Sequence, residues 1–180
     1  PVNAPGWSNY KYYDDSHFGI VSKCFDFKRE AIEPKGKIEE FDKNNKFGIV
    51  LEKIARKLLQ HETELNELDS HVGDGDCGGT FALGAKRILE DLQSYPLNEA
   101  SETLRMLTKS IERSMGGTSG VIYRIFLTAL ARDYAKHHEK EALLRWKTAL
   151  EGALEALLSY DRAREGHRTM LDALIPSIRG

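Results

Sequence analysis

The stretch Phe47-Gly48-Ile49-Val50-Leu51-Glu52-Lys53-Ile54-Ala55-Arg56-Lys57-Leu58, continued through Leu65 to Leu68, decides the fold. Its apolar residues Phe47, Val50, Leu51, Ile54, Leu58, Leu65 and Leu68 recur mostly at steps of three and four, the stripe of an amphipathic helix. The same period returns further on. Phe81, Leu83, Ile88, Leu89 and Leu92 predict a second helix, closed by Tyr95-Pro96 because the residue before proline is pushed out of helical conformation. Asn98, with Glu99 and Glu102 behind it, predicts the capped start of a third, whose stripe is Leu104, Leu107 and Ile111. Val121 to about Tyr134 predicts a fourth, and Leu143, Leu144, Trp146, Leu150, Leu154, Leu157 and Leu158 a fifth. Met170, Leu171, Leu174 and Ile175 predict a last short one. No alternating strand pattern follows residue 46, so the expected fold is all-α, an antiparallel up-and-down helix bundle with short loops.

Upstream of this pattern, residues 1–45 show no sustained period and contain the turn-forming Ala4-Pro5-Gly6-Trp7 and Glu33-Pro34-Lys35-Gly36. They read as an interdomain linker. Trp7, Tyr10, Tyr12, Tyr13 and Phe18 make it more aromatic than a disordered tether, so part of it is expected to pack, on a neighbouring domain or on this one. The first residue is Pro1 rather than Met, which suggests a fragment of something longer.

A length of 180 residues fits one domain with a sizeable core, and a net charge of -2 argues against nucleic acid as the main partner. With 30% charged and 41% hydrophobic residues, no apolar run is long enough to span a membrane, and no secretory segment opens the chain. Cys24 and Cys77 are too few for a disulfide scaffold, which favours a reducing, cytoplasmic setting.

The chemistry concentrates in Asp69-Ser70-His71-Val72-Gly73-Asp74-Gly75-Asp76-Cys77-Gly78-Gly79-Thr80. Three carboxylates this close repel one another, and no Lys or Arg lies in the stretch to neutralise them. They ask for full solvation or for a cation. Mg²⁺ typically takes a couple of carboxylates and completes its shell with water and phosphate, and the glycines let backbone N–H groups approach an anion. An EF-hand is excluded, because Gly78 and Ala85 fall at its fifth and twelfth ligand positions. The loop also departs from Asp-x-Asp-x-Thr, since Gly78 stands where Thr belongs, and the chain has no Gly-x-x-x-x-Gly-Lys-Ser/Thr segment. A solvated acidic turn is the bland alternative. Against it stands a second cluster, Met115-Gly116-Gly117-Thr118-Ser119-Gly120, which offers backbone donors and two hydroxyls at a helix start. The first and third connections of an up-and-down bundle emerge at one end, so a metal site would face a phosphate site.

Together, Asp-x4-Asp-Gly-Asp-Cys-Gly-x-Thr at 69–80, Met-Gly-Gly-Thr-Ser-Gly at 115–120 and Gly-His-Arg-Thr-Met-Leu-Asp-Ala-Leu-Ile-Pro at 166–176 resemble the nucleotide-binding domain of the dihydroxyacetone kinase family. The resemblance covers about residues 46–180, and Ala4-Pro5-Gly6-Trp7 is similar to the junction that follows the substrate-binding domain in single-chain members. It implies that Asp69, Asp74 and Asp76 hold two Mg²⁺ ions bridging the phosphates of ATP or ADP. By the same carry-over, Cys77, Gly78, Gly79, Thr80, Thr118 and Ser119 contact nucleotide, and Thr169 and Met170 lie by the adenosine. Cys77 then needs no thiol reactivity; His71, His137, His138 and His167 are expected at the surface, and Arg168 to pair with a carboxylate such as Asp172 or to meet phosphate. No residue is assigned as a catalytic acid or base.

The implied activity is transfer of the γ-phosphoryl group to dihydroxyacetone or glyceraldehyde, the acceptor being held by another domain of the same parent chain. A homodimer of the parent is a further expectation. The family's domain has eight helices, of which this sequence supplies about six before it stops at Gly180, and Asp161 stands where a glycine is expected near the base. Two alternatives remain: an animal-type member that also converts FAD to cyclic FMN, and a non-catalytic nucleotide-carrying regulatory subunit.

Overall fold

The computed structural model describes residues 45–160 and 162–179; the linker expectation for residues 1–45 therefore lies almost wholly outside them, as does Asp161. The Asn45 side chain accepts hydrogen bonds from the Phe47 and Gly48 N–H groups, at 2.9 and 3.2 Å, and so starts α1, Lys46–Gln60. At His61 the helix breaks, its N–H shared between the Lys57 and Leu58 carbonyls, and the chain resumes as α2, Glu62–Ser70. The single helix expected over 47–68 is thus two. Beyond Leu58 the inward face becomes Glu62, Leu65, Asn66 and Asp69, polar but for Leu65, and Leu68 is left 62% exposed.

Five more helices follow: α3 (Cys77–Asp91, running into a 3₁₀ turn at Leu92–Ser94), α4 (Ala100–Ser114), α5 (Gly117–Lys136), α6 (Ala142–Tyr160) and α7 (Leu171–Arg179). No strand occurs among the described residues, and the fold is all-α as expected. Helices α3 and α5 each begin four residues before their apolar stripe, so Gly78 and Gly79, and Gly117 and Gly120, lie in first helical turns, while Gly73, Gly75 and Gly116 stay in the connections. Asn98 does not occupy the cap position, which is Glu99; its Oδ1 accepts from the Asn45 side-chain amide at 3.0 Å and ties the α3–α4 connection to the start of α1.

Apart from α1 and α2, which continue one another across His61, consecutive helices pack antiparallel, as short connections require. On α3, Gly84 lies against Ile111 and Met115 at the far end of α4, while the Thr103 hydroxyl at the near end donates to the Pro96 carbonyl at 2.7 Å. Arg145 near the start of α6 donates to the Tyr134 carbonyl near the end of α5, at 2.7 Å. Trp146 joins Tyr134, with ring centroids 4.4 Å apart, and Phe47 of α1 edge-on at 5.8 Å, which brings α6 back to α1. The core is built on alanines that allow close approach, Ala55, Ala85, Ala149 and Ala153, filled out by Leu104, Phe126, Leu130, Leu154, Leu157 and Leu171. Val50 and Ile54 lie one step around α1 from the buried Leu51 and Ala55, and both are half exposed. No described helix is long and apolar enough to cross a membrane.

Candidate functional site

Asp69, in the last turn of α2, organises the loop that follows. Its Oδ2 accepts the N–H groups of Gly75, Asp76 and Cys77 at 3.0, 3.1 and 3.2 Å, so it caps α3 from a neighbouring helix. The turn between closes through the Val72 and Gly73 N–H groups onto the Asp69 carbonyl. Gly73 is needed here because a Cβ would stand 2.5 Å from Asp69 Oδ1, and Gly75 adopts φ +77°, in the left-handed region. One turn earlier on α2, Asn66 Oδ1 accepts the Gly79 N–H at 3.1 Å. The inward face of α2 is polar because it is bonded to the first turn of α3.

One carboxylate oxygen from each of Asp69, Asp74 and Asp76 can be drawn within 4.8 Å of the others. Asp69 is half-buried, and Asp74 and Asp76 are exposed. The charge of Asp74 foremost, then burial, a hydrogen bond with Asp74 and the charge of Asp69, holds the Asp76 carboxyl above its ordinary value. Burial, with Asp69 and Asp76 behind it, pushes the Cys77 thiol up, away from the reactive thiolate. An all-oxygen donor set in which the neighbouring charges raise the Asp76 carboxyl fits a hard divalent cation.

At the start of α5, Gly116 is extended and Gly117 turns through φ +64°. Thr118 is exposed and Ser119 half-buried. The preceding Met115 is buried between Gly84 of α3 and Gly120 of α5, where a Cβ on either glycine would overlap it. Tyr123, one turn further, meets Phe81 edge-on at 5.4 Å, and its hydroxyl is pushed up by burial first and then by Cys77. The first turns of α3 and α5 are therefore neighbours, which brings Cys77–Thr80 and Thr118–Ser119 to adjacent helix starts. A Cβ at Gly79, Gly116 or Gly117 would meet open space.

Alternation of helix direction puts the α6–α7 connection at this same end. There Thr169 is exposed and Met170 packs on the core. Asp172 takes the backbone N–H groups of Gly166, Arg168 and Thr169, not the Arg168 guanidinium expected of it. His71, His138 and His167 are exposed as expected, while His137 is half-buried 3.6 Å from Glu139. The sequence reading missed Asn66 and Tyr123, and it quoted Met115 in the second cluster without assigning its packing role; Asn66 could have been found as the polar residue one turn before Asp69 on the same face.

The DAK2 domain family profile matches residues 71–180. The chain belongs to the DAK2 domain family. The matched span takes in Asp74, Asp76 and the two later segments, while Asp69 stands two residues before it. A putative 3,4-dihydroxy-2-butanone kinase of Solanum lycopersicum is 42% identical over 154 residues, covering 83% of this chain and 24% of the relative. Triokinase/FMN cyclase of Homo sapiens is 39% identical over 132 residues, covering 73% of this chain and 22% of the relative. Among solved structures, the dihydroxyacetone kinase of C. freundii in complex with AMP-PNP and Mg²⁺ superposes with a TM-score of 0.68 at 32% identity, over 83% of this chain and 27% of that one. This DAK2 domain chain thus spans about a quarter of the length of the proteins it matches.

Proposed function

We propose that residues 46–180 form the ATP- and Mg²⁺-binding domain of a kinase that transfers the γ-phosphoryl group of ATP to dihydroxyacetone or glyceraldehyde. The observation that carries the reading is the three-aspartate cluster at the start of α3, beside the glycine-lined start of α5. Asp69, Asp74 and Asp76 would hold two Mg²⁺ ions, which supply charge stabilisation of the phosphoryl oxygens. Around them this chain's own groups bind and orient. The segment Cys77, Gly78, Gly79 and Thr80 and the Thr118 and Ser119 hydroxyls would contact the phosphates, with Thr169 and Met170 at the nucleoside. Open space over Gly79, Gly116 and Gly117 lets an anion approach the backbone at two helix starts, where the macrodipole favours it.

No side chain here binds an acceptor by this reading. The acceptor belongs to a dihydroxyacetone-binding domain of the same parent, reached through residues 1–45, in a cytoplasmic setting. Calorimetry of Mg·ADP with this chain and its Asp74→Ala and Asp76→Ala variants tests the proposal. Binding is expected in the parent and lost in both variants; equal binding in all three overturns it. The likeness to human triokinase/FMN cyclase supports a second reading, in which the same cluster serves FAD cleavage; formation of cyclic FMN from FAD and Mn²⁺ by the full-length parent separates the two.

A further inference from the structure

We propose that Asp172 is a positioning residue for the nucleoside end of the site, an inference that rests on the nucleotide reading above. The segment Thr169-Met170-Leu171-Asp172 forms a reciprocal cap: Thr169 Oγ1 accepts the Leu171 N–H at 3.2 Å, and Asp172 Oδ2 accepts the Thr169 N–H at 2.9 Å. A cap needs one carboxylate oxygen. Asp172 also uses the other, since Oδ1 accepts the N–H of Gly166, six residues back, and the Arg168 N–H adds to the set.

Between these anchors the chain passes through two left-handed residues, Gly166 at φ +89° and Arg168 at φ +59°. Glycine adopts that region freely; arginine does so at a cost, and such a residue persists only where its surroundings hold it. Packing cannot be what holds it, because Gly166, His167, Arg168 and Thr169 are all exposed. The carboxylate can, because α7 is fixed to the core through Leu171 and Ile175, 1% and 5% exposed. The backbone donors in turn keep Asp172 ionised, below the ordinary carboxylate value. Asp172 therefore transmits the rigidity of the core to an exposed loop whose last residues, Thr169 and Met170, are those assigned to the nucleoside. The strain at Arg168 buys nothing in the core.

The test compares Mg·ADP and Mn²⁺ alone as calorimetric probes of the 180-residue chain, with melting temperatures alongside. Asp172→Asn is expected to weaken Mg·ADP by roughly five- to thirty-fold, the ratio equivalent to the penalty for a left-handed non-glycine residue. Affinity for Mn²⁺ at the aspartate cluster is expected to stay unchanged. Adding Arg168→Gly to Asp172→Asn is expected to restore most of the loss, because glycine takes φ +59° without support. Wild-type Mg·ADP affinity in Asp172→Asn and Asp172→Ala overturns the inference while leaving the nucleotide reading standing. Parallel loss of both probes and of melting temperature, not rescued by Arg168→Gly, also overturns it by making Asp172 a general structural residue. A parent chain that binds Mn²⁺ but not Mg·ADP removes the nucleotide reading, and the inference falls with it.

Discussion

Two adjacent glycines in the first turn of α3 are predicted to respond to the same substitution with opposite signs. At Gly78 a Cβ would overlap the Glu62 carbonyl oxygen and stand 2.8 Å from Asn66 Oδ1 and 2.9 Å from the Glu62 carbonyl carbon. At Gly79 it would meet nothing within 4 Å. Alanine gains up to about 1 kcal/mol over glycine in a helix, and Gly79→Ala should realise most of it. Gly78→Ala gains the same but must displace the α2 backbone, which no rotamer change can relieve. Overpacking costs about 1–3 kcal/mol, and a backbone clash belongs at the upper end, so a net loss of roughly 2 kcal/mol is expected. Urea denaturation measures both. Because α2 carries Asp69 and Asn66, Gly78→Ala should also weaken Mn²⁺ binding, which Gly79→Ala should leave intact. Mg·ADP should discriminate the other way in one respect: Gly79→Ala fills the space proposed for phosphate and should weaken nucleotide in a chain more stable than the parent. Equal stability of the two variants would refute the close packing of α2 on α3 from which this reasoning starts.

The pH dependence of the cation-free chain should carry two opposite signatures. Asp76 is raised, so its contribution is complete below the ordinary 3.8 and is lost as pH rises through its folded value. Asp172 is lowered, so its contribution is complete above the ordinary 3.8 and is lost as pH falls through its folded value. Melting curves against pH should therefore show Asp76→Asn, or saturating Mg²⁺, flattening the first decline, and Asp172→Asn removing part of the acid-side loss; identical pH profiles for parent and variants would count against both assignments. Away from the site, the Tyr95 hydroxyl donates to Ser110 Oγ at 2.7 Å, Ser110 donates to Asp91 at 2.6 Å, and Arg87 pairs with the same carboxylate oxygen. Burial foremost pushes the Tyr95 phenol to about 12, so Tyr95→Phe should remove a phenol that titrates near there by ultraviolet absorbance and cost roughly 1 kcal/mol in denaturation; a Tyr95 that titrates near 10.0 would contradict this burial.

Six apolar stripes could be read from the sequence because each buries one face of a helix, and all six have helices in the structure. The break at His61 could not be read, since Glu62 to Leu68 is good helical sequence and the interruption comes from α2 bonding to α3. Helix starts were read late at α3 and α5 for a related reason. Glycine has low intrinsic helix propensity, and Cys77–Thr80 and Gly117–Gly120 are helical because Asp69, Asn66 and Met115 hold them there. The three aspartates stood out by spacing alone. The Thr-x-x-Asp cap at 169–172 was equally present in the sequence, but the reach of its second oxygen to Gly166 depends on a loop shape that no local pattern encodes.

How three carboxylates coexist before any cation arrives follows from the unequal parts they play. Asp69 uses Oδ2 to accept three N–H groups at the positive end of α3. The Asp76 side chain has no such set, and the charge of Asp74 is the leading cause of its upward shift. A cation that relieves this repulsion binds the folded chain and not the unfolded one, so its affinity is added to the stability of the α2–α3 junction. The same division explains why Asp69 is a poor probe of the metal proposal. Replacing it removes a proposed ligand and a helix cap at once, so loss of binding would not say which mattered. The Asp74 and Asp76 side chains are exposed and do not cap α3, so replacing them tests cation binding without removing the cap.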